Sequence, residues 1–328
     1  MSHLKTPFLL GDLELPSNVF YAPLAGCSDL PFRRMSSRYN PGLVFCEMVK
    51  MDALVRSDAT TFHLLDYESG MHPIGGQIVG SKPEIAGQAA KIIEDLGFDV
   101  VDLNCGCPVD KVTKDGGGSG MLKTPQLIGE VLANMVAAVK IPVTVKIRAG
   151  WDDGHINAEE ITRVAEEAGA KMITIHGRTR AQAYKGNANW DHIKACKQVA
   201  KNIKVIGNGD IFDAEAAERI FEHTNCDGIL VSRGTLGQPW IAEDVYRRLS
   251  GMEELIRPET AYRDALVEHF EHSLQYYSEK KAVTDVRRLG CWYFKKDKRA
   301  RDFRRAITKV ETRAEVYKII EEFWPGEQ

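Results

Sequence analysis

The chain has 328 residues, of which 44% are hydrophobic and 27% charged, a composition typical of one large globular fold or of two ordinary domains. Its formal net charge is only −3, no run reaches the roughly 20 apolar residues of a membrane span, and Lys5, Pro7, Asp12 and Pro16 interrupt any secretory signal. Seven cysteines without a C-x-x-C pair support neither zinc nor a disulfide framework, so we expect a cytoplasmic protein with reduced thiols, no metal and no membrane partner.

Short runs rich in β-branched residues alternate with helical patterns over the first 250 residues. They predict eight strands, at residues 19–22, 43–46, 74–78, 100–103, 143–147, 172–175, 204–206 and 228–231. Helices are predicted at residues 85–96, 125–139, 158–168 and 214–223, with Thr124 and Asp213 as N-caps. Eight β/α units of this size indicate a TIM barrel, with a doubly wound sheet as the alternative.

A change of composition after Pro258 predicts a second unit. Glycine and β-branched residues become rarer, and helices are predicted at residues 261–277, 284–294, 300–307 and 314–323. We therefore predict a barrel domain at residues 1–255 and a small helical domain at residues 256–328. Residues 280–313 hold thirteen Lys and Arg against four Asp and Glu, a local charge of +9 that leaves −12 for the rest of the chain. Such a basic end predicts a polyanionic partner.

The predicted strand ends carry polar or glycine-rich sequences almost without exception. In a TIM barrel the active site lies at these ends, so together they predict one lined pocket. The residues concerned are Pro23, Leu24, Ala25, Glu47, Gln77, Asn104, Cys107, Lys146, Arg148, His176, Arg178, Asn208, Gly209, Asp210, Ser232 and Arg233.

Residues 104–108, Asn-Cys-Gly-Cys-Pro, end the fourth predicted strand with two thiols. A thiol in a loop at a strand end is where an enzyme can hold a proton donor, and a buried structural cysteine is the alternative. The rest of the chain favours the donor role for Cys107 and the structural role for Cys105. Lys111 and Lys114 follow in the same loop and are expected near the backbone of a polyanion.

Other strand ends suggest what the pocket holds. The seventh and eighth ends, with Asn208, Gly209 and Arg233, occupy the usual phosphate site of such barrels, although ordinary turn glycines would look the same. Lys146 interrupts an apolar strand. A lysine at such a position is expected to face a carboxylate, a phosphate or an electron-rich cofactor, to form a Schiff base, or to belong to a structural ion pair. His176, beside two arginines, is expected to contact an anion or act as a base.

These motifs resemble those of the tRNA-dihydrouridine synthases, nearest their bacterial DusB-like branch. The matching segments are residues 22–29, 104–108, 146–151, 176–180, 207–211 and 236–241, with 287–290 and 292–293 in the tail. The resemblance implies an FMN-dependent, NADPH-consuming reduction of the uracil C5–C6 bond in tRNA. One departure is Ser232, where the family has glycine before the arginine, and this puts a phosphate contact at Ser232 in doubt.

The resemblance also implies a role for each residue. Flavin contacts are expected from Pro23, Leu24, Ala25, Gln77, Lys146, His176, Asn208, Gly209, Asp210, Ser232 and Arg233. Asn104 and Arg148 would orient the uracil, reduced FMN would deliver hydride to C6, and Cys107 would protonate C5. Arg178 is assigned to the RNA, although the sequence does not separate its role from that of His176.

A uracil in folded RNA reaches a barrel pocket only when it is extruded, which requires a surface that holds the rest of the RNA. The basic segment is expected to supply it, through Arg287, Arg288, Lys295, Lys296, Lys298, Arg299, Arg301, Arg304 and Arg305. Its aromatic residues, Trp292, Tyr293 and Phe294, are expected to pack on the barrel instead. We expect a monomer; the sequence does not name the uridine that is reduced or exclude ribosomal RNA.

Three other functions remain open at this point. A dehydrogenase of the dihydroorotate type would share the flavin, the lysine and the loop cysteine but would not need a basic tail. A flavin-dependent uracil methyltransferase would also require a methylene donor. An RNA-binding protein with an inactive barrel would bind no flavin.

Overall fold

The computed structural model describes residues 3–295 and 297–325, and a closed parallel barrel forms its centre. The strands are β1 (Phe8–Leu10), β2 (Leu13–Leu15), β3 (Val19–Tyr21), β4 (Leu43–Phe45), β5 (Val49–Lys50), β6 (Ile74–Val79), β7 (Val100–Cys105), β8 (Val143–Arg148), β9 (Met172–His176), β10 (Lys204–Asn208) and β11 (Gly228–Val231). Strands β3, β4 and β6–β11 pair in parallel, and β4 pairs with β6 to close the circle. The TIM barrel is confirmed, and the doubly wound sheet is wrong because that sheet has free edges.

Helices surround the barrel between its strands. They are α1 (Leu30–Ser36), α2 (Met51–Val55), α3 (Ala59–His63), α4 (Pro83–Asp95), α5 (Asp110–Thr113), α6 (Pro125–Ala138), α7 (Ala158–Glu167), α8 (Asp191–Val199), α9 (Ala214–Thr224) and α10 (Ile241–Leu249). Asp213 caps α9 as expected, since its carboxylate accepts from the Ala216 N–H. Thr124 lies at the N-cap of α6 but its hydroxyl makes no capping hydrogen bond.

Several barrel strands extend further than their hydrophobic runs. Asn104 and Cys105 belong to β7, His176 to β9 and Asn208 to β10, because parallel pairing continues through these polar positions. Apolar periodicity ends where side chains begin to face the pocket, so it stops short of the hydrogen-bonded ladder. These polar side chains therefore stand on strand ends rather than on loops.

The N-terminal hairpin of β1 and β2 was not predicted. Its residues Phe8, Leu10 and Leu15 pack in a hydrophobic cluster with Phe20 on β3 and Leu43 on β4. A three-residue strand is too short to show a period in the sequence.

Four C-terminal helices form a second hydrophobic cluster. They are α11 (Glu259–Tyr276), α12 (Glu279–Leu289), α13 (Ala300–Ile307) and α14 (Arg313–Phe323). Helix α12 begins five residues before its predicted start, because Ser278 caps it by accepting from the Lys281 N–H. The cluster includes Phe32, Met35 and Trp240 from the barrel part of the chain.

Two of the three tail aromatics are packed away from solvent. Tyr293 and Phe294 are buried in the C-terminal cluster, but Trp292 is half-buried and lines the cavity described below. Among the described residues, no helix is both long and apolar enough to cross a bilayer.

Candidate active site

A cavity of about 440 Å³ opens at the carboxyl ends of the barrel strands. Register explains how distant residues meet there, since Asn104 lies beside Lys146 and His176 lies between Arg148 and Asn208. The predicted site residues on its wall are Pro23, Leu24, Ala25, Gln77, Asn104, Cys107, Lys146, Arg148, His176, Asn208, Gly209, Asp210, Ser232, Arg233 and Arg288.

The Asn104 side chain holds the loop that carries Cys107. Its Oδ1 accepts hydrogen bonds from the backbone N–H groups of Gly106 at 3.1 Å and Cys107 at 2.9 Å. Ser119 secures the other side, because its N–H and its hydroxyl both donate to the Cys107 carbonyl. Cys107 is half-buried on the cavity wall, whereas Cys105 is fully buried, which supports a packing role for Cys105.

Lys146 points an ammonium group into the cavity. Its Nζ makes no hydrogen bond or ion pair with the described residues, so the structural ion pair considered above is not formed there. Burial lowers the pKa of Lys146 to about 8, the charge of Arg148 acts in the same direction, and Asp102 opposes it. Because burial of an unpaired ammonium is unfavourable, its presence here indicates that the cavity binds an anionic or electron-rich ligand.

The opposite end of the cavity is built by the turns after β10 and β11. Asn208 Nδ2 donates to Ser232 Oγ at 2.9 Å and so ties the turns together. Gly234 is required there, since a Cβ would lie 2.1 Å from the Ile211 carbonyl oxygen. Backbone N–H groups at such a turn, with the Arg233 guanidinium beside them, can hold a phosphate.

The Asp210 carboxylate contacts arginines, and the assignment of Asp210 to the phosphate site stays a prediction. Arg178 donates to both carboxylate oxygens, at 2.8 and 2.7 Å, and Arg233 donates at 3.3 Å. Burial raises the pKa of Asp210, but the hydrogen bonds from Arg178 hold it below its ordinary value. Through its contact with Arg233, the ionised carboxylate also positions that guanidinium.

Arg178 itself is 2% exposed and is not part of the cavity wall. Besides Asp210, its guanidinium donates to the backbone carbonyls of Lys185 and Gly186. With its donors occupied inside the protein, Arg178 is not placed to contact RNA, contrary to the sequence-based assignment.

His176 lies among cations on the cavity wall. Burial holds the pKa of His176 well below its ordinary value, and the charges of Lys146, Arg148, Arg178 and Arg233 add to this. The imidazole is therefore neutral at neutral pH. A neutral ring offers one donor and one acceptor to a ligand but no charge.

Arg148 uses part of its guanidinium to hold the neighbouring loops. Its Nε donates to the Gly106 carbonyl at 2.9 Å, and Nη1 donates to the carbonyls of Thr179 and Ala183. The remaining nitrogen, Nη2, has no hydrogen bond within the described residues and belongs to a side chain on the cavity wall. It can therefore donate to a bound molecule.

Arg288 links the C-terminal helices to the cavity. Its Nη1 donates to Cys27 Sγ at 3.0 Å and its Nη2 donates to the Gly26 carbonyl, in the loop after β3. Glu47, also expected at a strand end, accepts from the Gly26 N–H. Arg288 therefore joins α12 to the cavity wall, and since its side chain is 46% exposed, its contact with RNA stays a prediction.

None of the other predicted RNA contacts among the described residues belongs to the cavity wall, but Lys295 lies near it, with Nζ 5.3 Å from the centre of the Trp292 ring. Arg287 Nε donates to the Val310 carbonyl, and Arg299 pairs with Asp297 at 2.8 Å. Arg301, Arg304 and Arg305 are exposed on α13. Lys296 lies outside the described residues.

Sequence reasoning missed several wall residues, among them Cys27, Tyr184, Phe212 and Trp292. Tyr184 is 55% exposed, and its ring lies 4.4 Å from the Arg233 guanidinium carbon. It lies in a long connection after β9, where no periodic pattern exists. An exposed aromatic ring preceded by several basic residues was the available signal.

The part of the chain that the structure describes contains no group of three His, Cys, Asp or Glu side chains able to hold a metal ion.

Two solved structures resemble this fold at low sequence identity. Histamine dehydrogenase from Rhizobium sp. 4-9 superposes with a TM-score of 0.55 at 14% identity, over 81% of this chain and 50% of that one. A 2-naphthoyl-CoA reductase superposes with a TM-score of 0.58 at 13% identity, over 75% of this chain and 52% of that one. At these identities the likeness supports the barrel fold alone.

Curated relatives match almost the whole chain. A "Probable tRNA-dihydrouridine synthase" of Rickettsia conorii is 38% identical over 96% of both chains. The "tRNA-dihydrouridine synthase B" of Shewanella oneidensis is 35% identical over 96% of this chain and 98% of its own. The family described as "Dihydrouridine synthase (Dus)" matches residues 20–324. The chain therefore belongs to the dihydrouridine synthase family.

Proposed function

We propose that the protein reduces uridine to 5,6-dihydrouridine in tRNA, with FMN as cofactor and NADPH as the electron source. Family membership supports the reaction. The observation that carries the proposal is that one cavity combines an apolar wall, an unpaired ammonium on Lys146, a phosphate-type turn at Gly234 and a thiol on Cys107. That combination suits a flavin mononucleotide and a substrate that must receive a proton.

The residues of the cavity fit FMN in their chemistry. Pro23, Leu24 and Ala25 supply apolar surface and backbone groups for a flat ring, while Gln77 and Lys146 supply donors for its polar edge. A phosphate would lie at the turns of Gly209 and Gly234, beside Arg233. A Cβ at either position would clash with neighbouring backbone or side-chain atoms, so both turns require glycine.

Bound reduced FMN supplies a hydride equivalent to C6 of the uracil. The protein must then hold the uracil and deliver a proton to C5. The two hydrogen bonds from its loop to Asn104 Oδ1 hold the Cys107 backbone at the cavity, which supports this task for its thiol. The free Nη2 of Arg148 can donate to a uracil carbonyl, and the charge it carries stabilises negative charge that develops on that oxygen.

Asn104 has a role in this proposal that differs from the sequence-based one. Its oxygen is occupied by the loop, and its nitrogen donates to Gln77 Oε1 at 2.8 Å. The second N–H of that nitrogen faces Met48 Sδ at 3.4 Å and can turn to a uracil carbonyl. In this proposal the main role of Asn104 is to position the Cys107 loop, and it also offers one weakly bound N–H to the substrate.

The RNA is proposed to lie over the cavity mouth and along the C-terminal helices. Arg301, Arg304 and Arg305 present exposed charge on α13, and Lys111 and Lys114 are exposed beside the Cys107 loop. A division into a catalytic barrel at 1–255 and an RNA-binding domain at 256–328 belongs to the same proposal. A cytoplasmic location and a monomeric state stay predictions.

The test is product formation on matched substrates. Purified protein supplied with FMN and NADPH should convert uridine in an unmodified tRNA transcript to a product two mass units heavier, with no reaction on free uridine or dihydroorotate. Turnover of the free pyrimidine without any response to tRNA would favour the dehydrogenase alternative. A gain of one carbon would indicate methylation, and protein that cannot be loaded with FMN would contradict the proposal.

A further inference from the structure

Asp102 is a buried carboxylate that the chemistry proposed above does not use. It stands in the middle of β7, is 3% exposed, and is not part of the cavity wall. Its oxygens accept from Thr144 Oγ1 at 2.6 Å and from Gln77 Nε2 at 2.7 Å. Burial raises the pKa of Asp102 to about 6, while these hydrogen bonds and the charge of Lys146 act against that rise. A group this costly to bury calls for a reason.

The Asp102 carboxylate determines the orientation of the Gln77 side-chain amide. An ionised carboxylate can only accept hydrogen bonds, so Gln77 must turn its Nε2 toward Asp102 and its Oε1 away. That oxygen then accepts from Asn104 Nδ2 at 2.8 Å. A side-chain amide has one donor end and one acceptor end, so the orientation of Gln77 is passed on to Asn104.

The orientation reaches the loop that carries the thiol. With its nitrogen toward Gln77, Asn104 turns Oδ1 toward the Gly106 and Cys107 N–H groups, which both donate to it. If Asn104 were reversed, its NH₂ group would meet two N–H donors and neither could be satisfied. Donor and acceptor groups can therefore follow one another in only one order along this chain of hydrogen bonds, and that order begins at the Asp102 carboxylate.

We infer that Asp102 is a positioning residue, which sets the direction of the Asp102–Gln77–Asn104 chain and thereby holds the Cys107 loop against the cavity. The link to catalysis rests on the proposed function, but the hydrogen bonds themselves do not. The same carboxylate also leaves Gln77 with one N–H and one oxygen lone pair for a cavity ligand. Asp102 thus orients two neighbouring side chains of the cavity wall although it is not part of that wall.

Exchanging the two ends of the chain tests this inference. In Asn104→Asp, two carboxylates face the single amide of Gln77, whose donor end can satisfy only one of them. In the double variant Asp102→Asn and Asn104→Asp, Gln77 can reverse, donate to residue 104 and accept from residue 102. The repulsion at residue 104 is then relieved, so that its carboxylate stays in place to accept from the Gly106 and Cys107 N–H groups, with Thr144 donating to the oxygen of residue 102.

The measurement is amide hydrogen exchange of the peptide that contains Gly106 and Cys107, by mass spectrometry on the full chain. Exchange should rise severalfold in Asn104→Asp, because repulsion between the carboxylate at residue 104 and Gln77 Oε1 displaces the acceptor of these N–H groups, and should return to within about threefold of wild type in the double variant. Thr144→Val, which removes a hydrogen bond outside the directional chain, should leave exchange at these amides unchanged.

Retained protection in Asn104→Asp, or no recovery in the double variant, would overturn the inference. Should Asn104→Asp not fold, the nearly isosteric Asp102→Asn serves instead: exchange should rise severalfold because residue 102 no longer imposes a direction, and unchanged exchange counts against the inference. Activity separates the two proposals. Wild-type protein inactive on tRNA but with the expected exchange pattern would contradict the function alone, and active protein without that pattern would contradict the role of Asp102 alone.

Discussion

Two cysteines separated by one residue differ in burial because of where they lie relative to the end of β7. Cys105 is the last residue of the strand and is fully buried, whereas Cys107 lies in the following turn on the cavity wall. Only a thiol that reaches the cavity can donate a proton to a substrate there. The pair therefore gives a matched test of the donor role.

Cys107→Ala should bind flavin and allow its reduction by NADPH while forming no dihydrouridine, because the hydride donor is intact and the proton donor is absent. Flavin absorbance and the mass of the tRNA nucleosides report the two steps separately. Cys105→Ala, as the control, should lower the melting temperature through a small cavity in the core but retain product formation. Normal product yield from Cys107→Ala would remove the thiol from the mechanism.

Lys146→Met should have opposite effects on stability and on flavin binding. Its pKa falls from an ordinary 10.5 to about 8 in the folded protein, so below pH 8 the buried charge costs folding on the order of 3 kcal/mol. The variant should melt at a higher temperature than wild type at pH 7. FMN affinity should fall roughly tenfold or more, since the variant has no charged hydrogen-bond donor at this position.

The sign of this effect is checked by pH. Between pH 8 and 10.5 the unfolded chain binds the proton that folded Lys146 has released, so wild-type stability rises with pH over that window. The stability advantage of Lys146→Met should therefore shrink as the pH increases from 7 to 10. Melting curves of both proteins, with the exposed Lys140→Met as control, measure it. An advantage that does not change with pH would mean that packing, rather than the ammonium, causes it.

At the scale of elements, α13 carries arginines that are exposed and form few bonds within the protein. Arg301 and Arg305 are exposed, and Arg305 forms an ion pair with Asp302 at 3.8 Å. Exposed pairs at that distance contribute little, so both arginines are free to meet phosphates. Helix α12, by contrast, turns Arg288 toward the cavity.

Charge reversal of Arg301 and Arg305 to Glu should weaken tRNA binding and reduce its salt dependence by roughly one power of salt concentration for each phosphate that the variant no longer neutralises. Binding isotherms at several salt concentrations measure both quantities. The control reverses Arg163 and Arg219, which are exposed on barrel helices and each have a glutamate one turn away. Equal effects of the two double variants would indicate a general charge effect and contradict RNA binding by α13.

At the scale of the whole molecule, the C-terminal helices and the barrel share a hydrophobic cluster. Phe32, Met35 and Trp240 belong to the barrel part of the chain but pack in the cluster that contains Phe270 and Phe303. Arg288 adds polar contacts between α12 and the loop after β3. The two units proposed on either side of residue 255 therefore bury surface against each other.

A chain shortened to residues 1–255 should therefore be less stable than the full chain and should bind a hydrophobic dye, because the aromatic residues of α1 and the segment before α10 become exposed. Melting temperature and dye fluorescence measure this. Phe32→Ala in the full chain, which removes one aromatic ring from the shared cluster, should cost about 3–5 kcal/mol. A shortened barrel with the stability of the full chain and no dye binding would contradict the shared core.

How much the sequence revealed depended on the kind of signal. Buried strands produce apolar runs, so all eight barrel strands were located, and polar residues at their ends marked Lys146, His176 and Cys107. Tyr184 was missed, because it lies in an irregular connection where nothing periodic indicates which way it faces. Arg178 was misassigned, since an arginine bound to a carboxylate looks the same in sequence as one that awaits a phosphate.

The sequence by itself determined the barrel, the family and most of the cavity wall, because these follow from local periodicity and from short motifs at strand ends. Only the tertiary structure decided how those residues divide their hydrogen bonds. Asp102 and Asp210 are acidic residues near the cavity, yet the first orients amides and the second positions arginines, because different partners reach them across neighbouring strands. Hydrogen-bond partners of buried groups come from residues distant in the chain, and no local pattern records them.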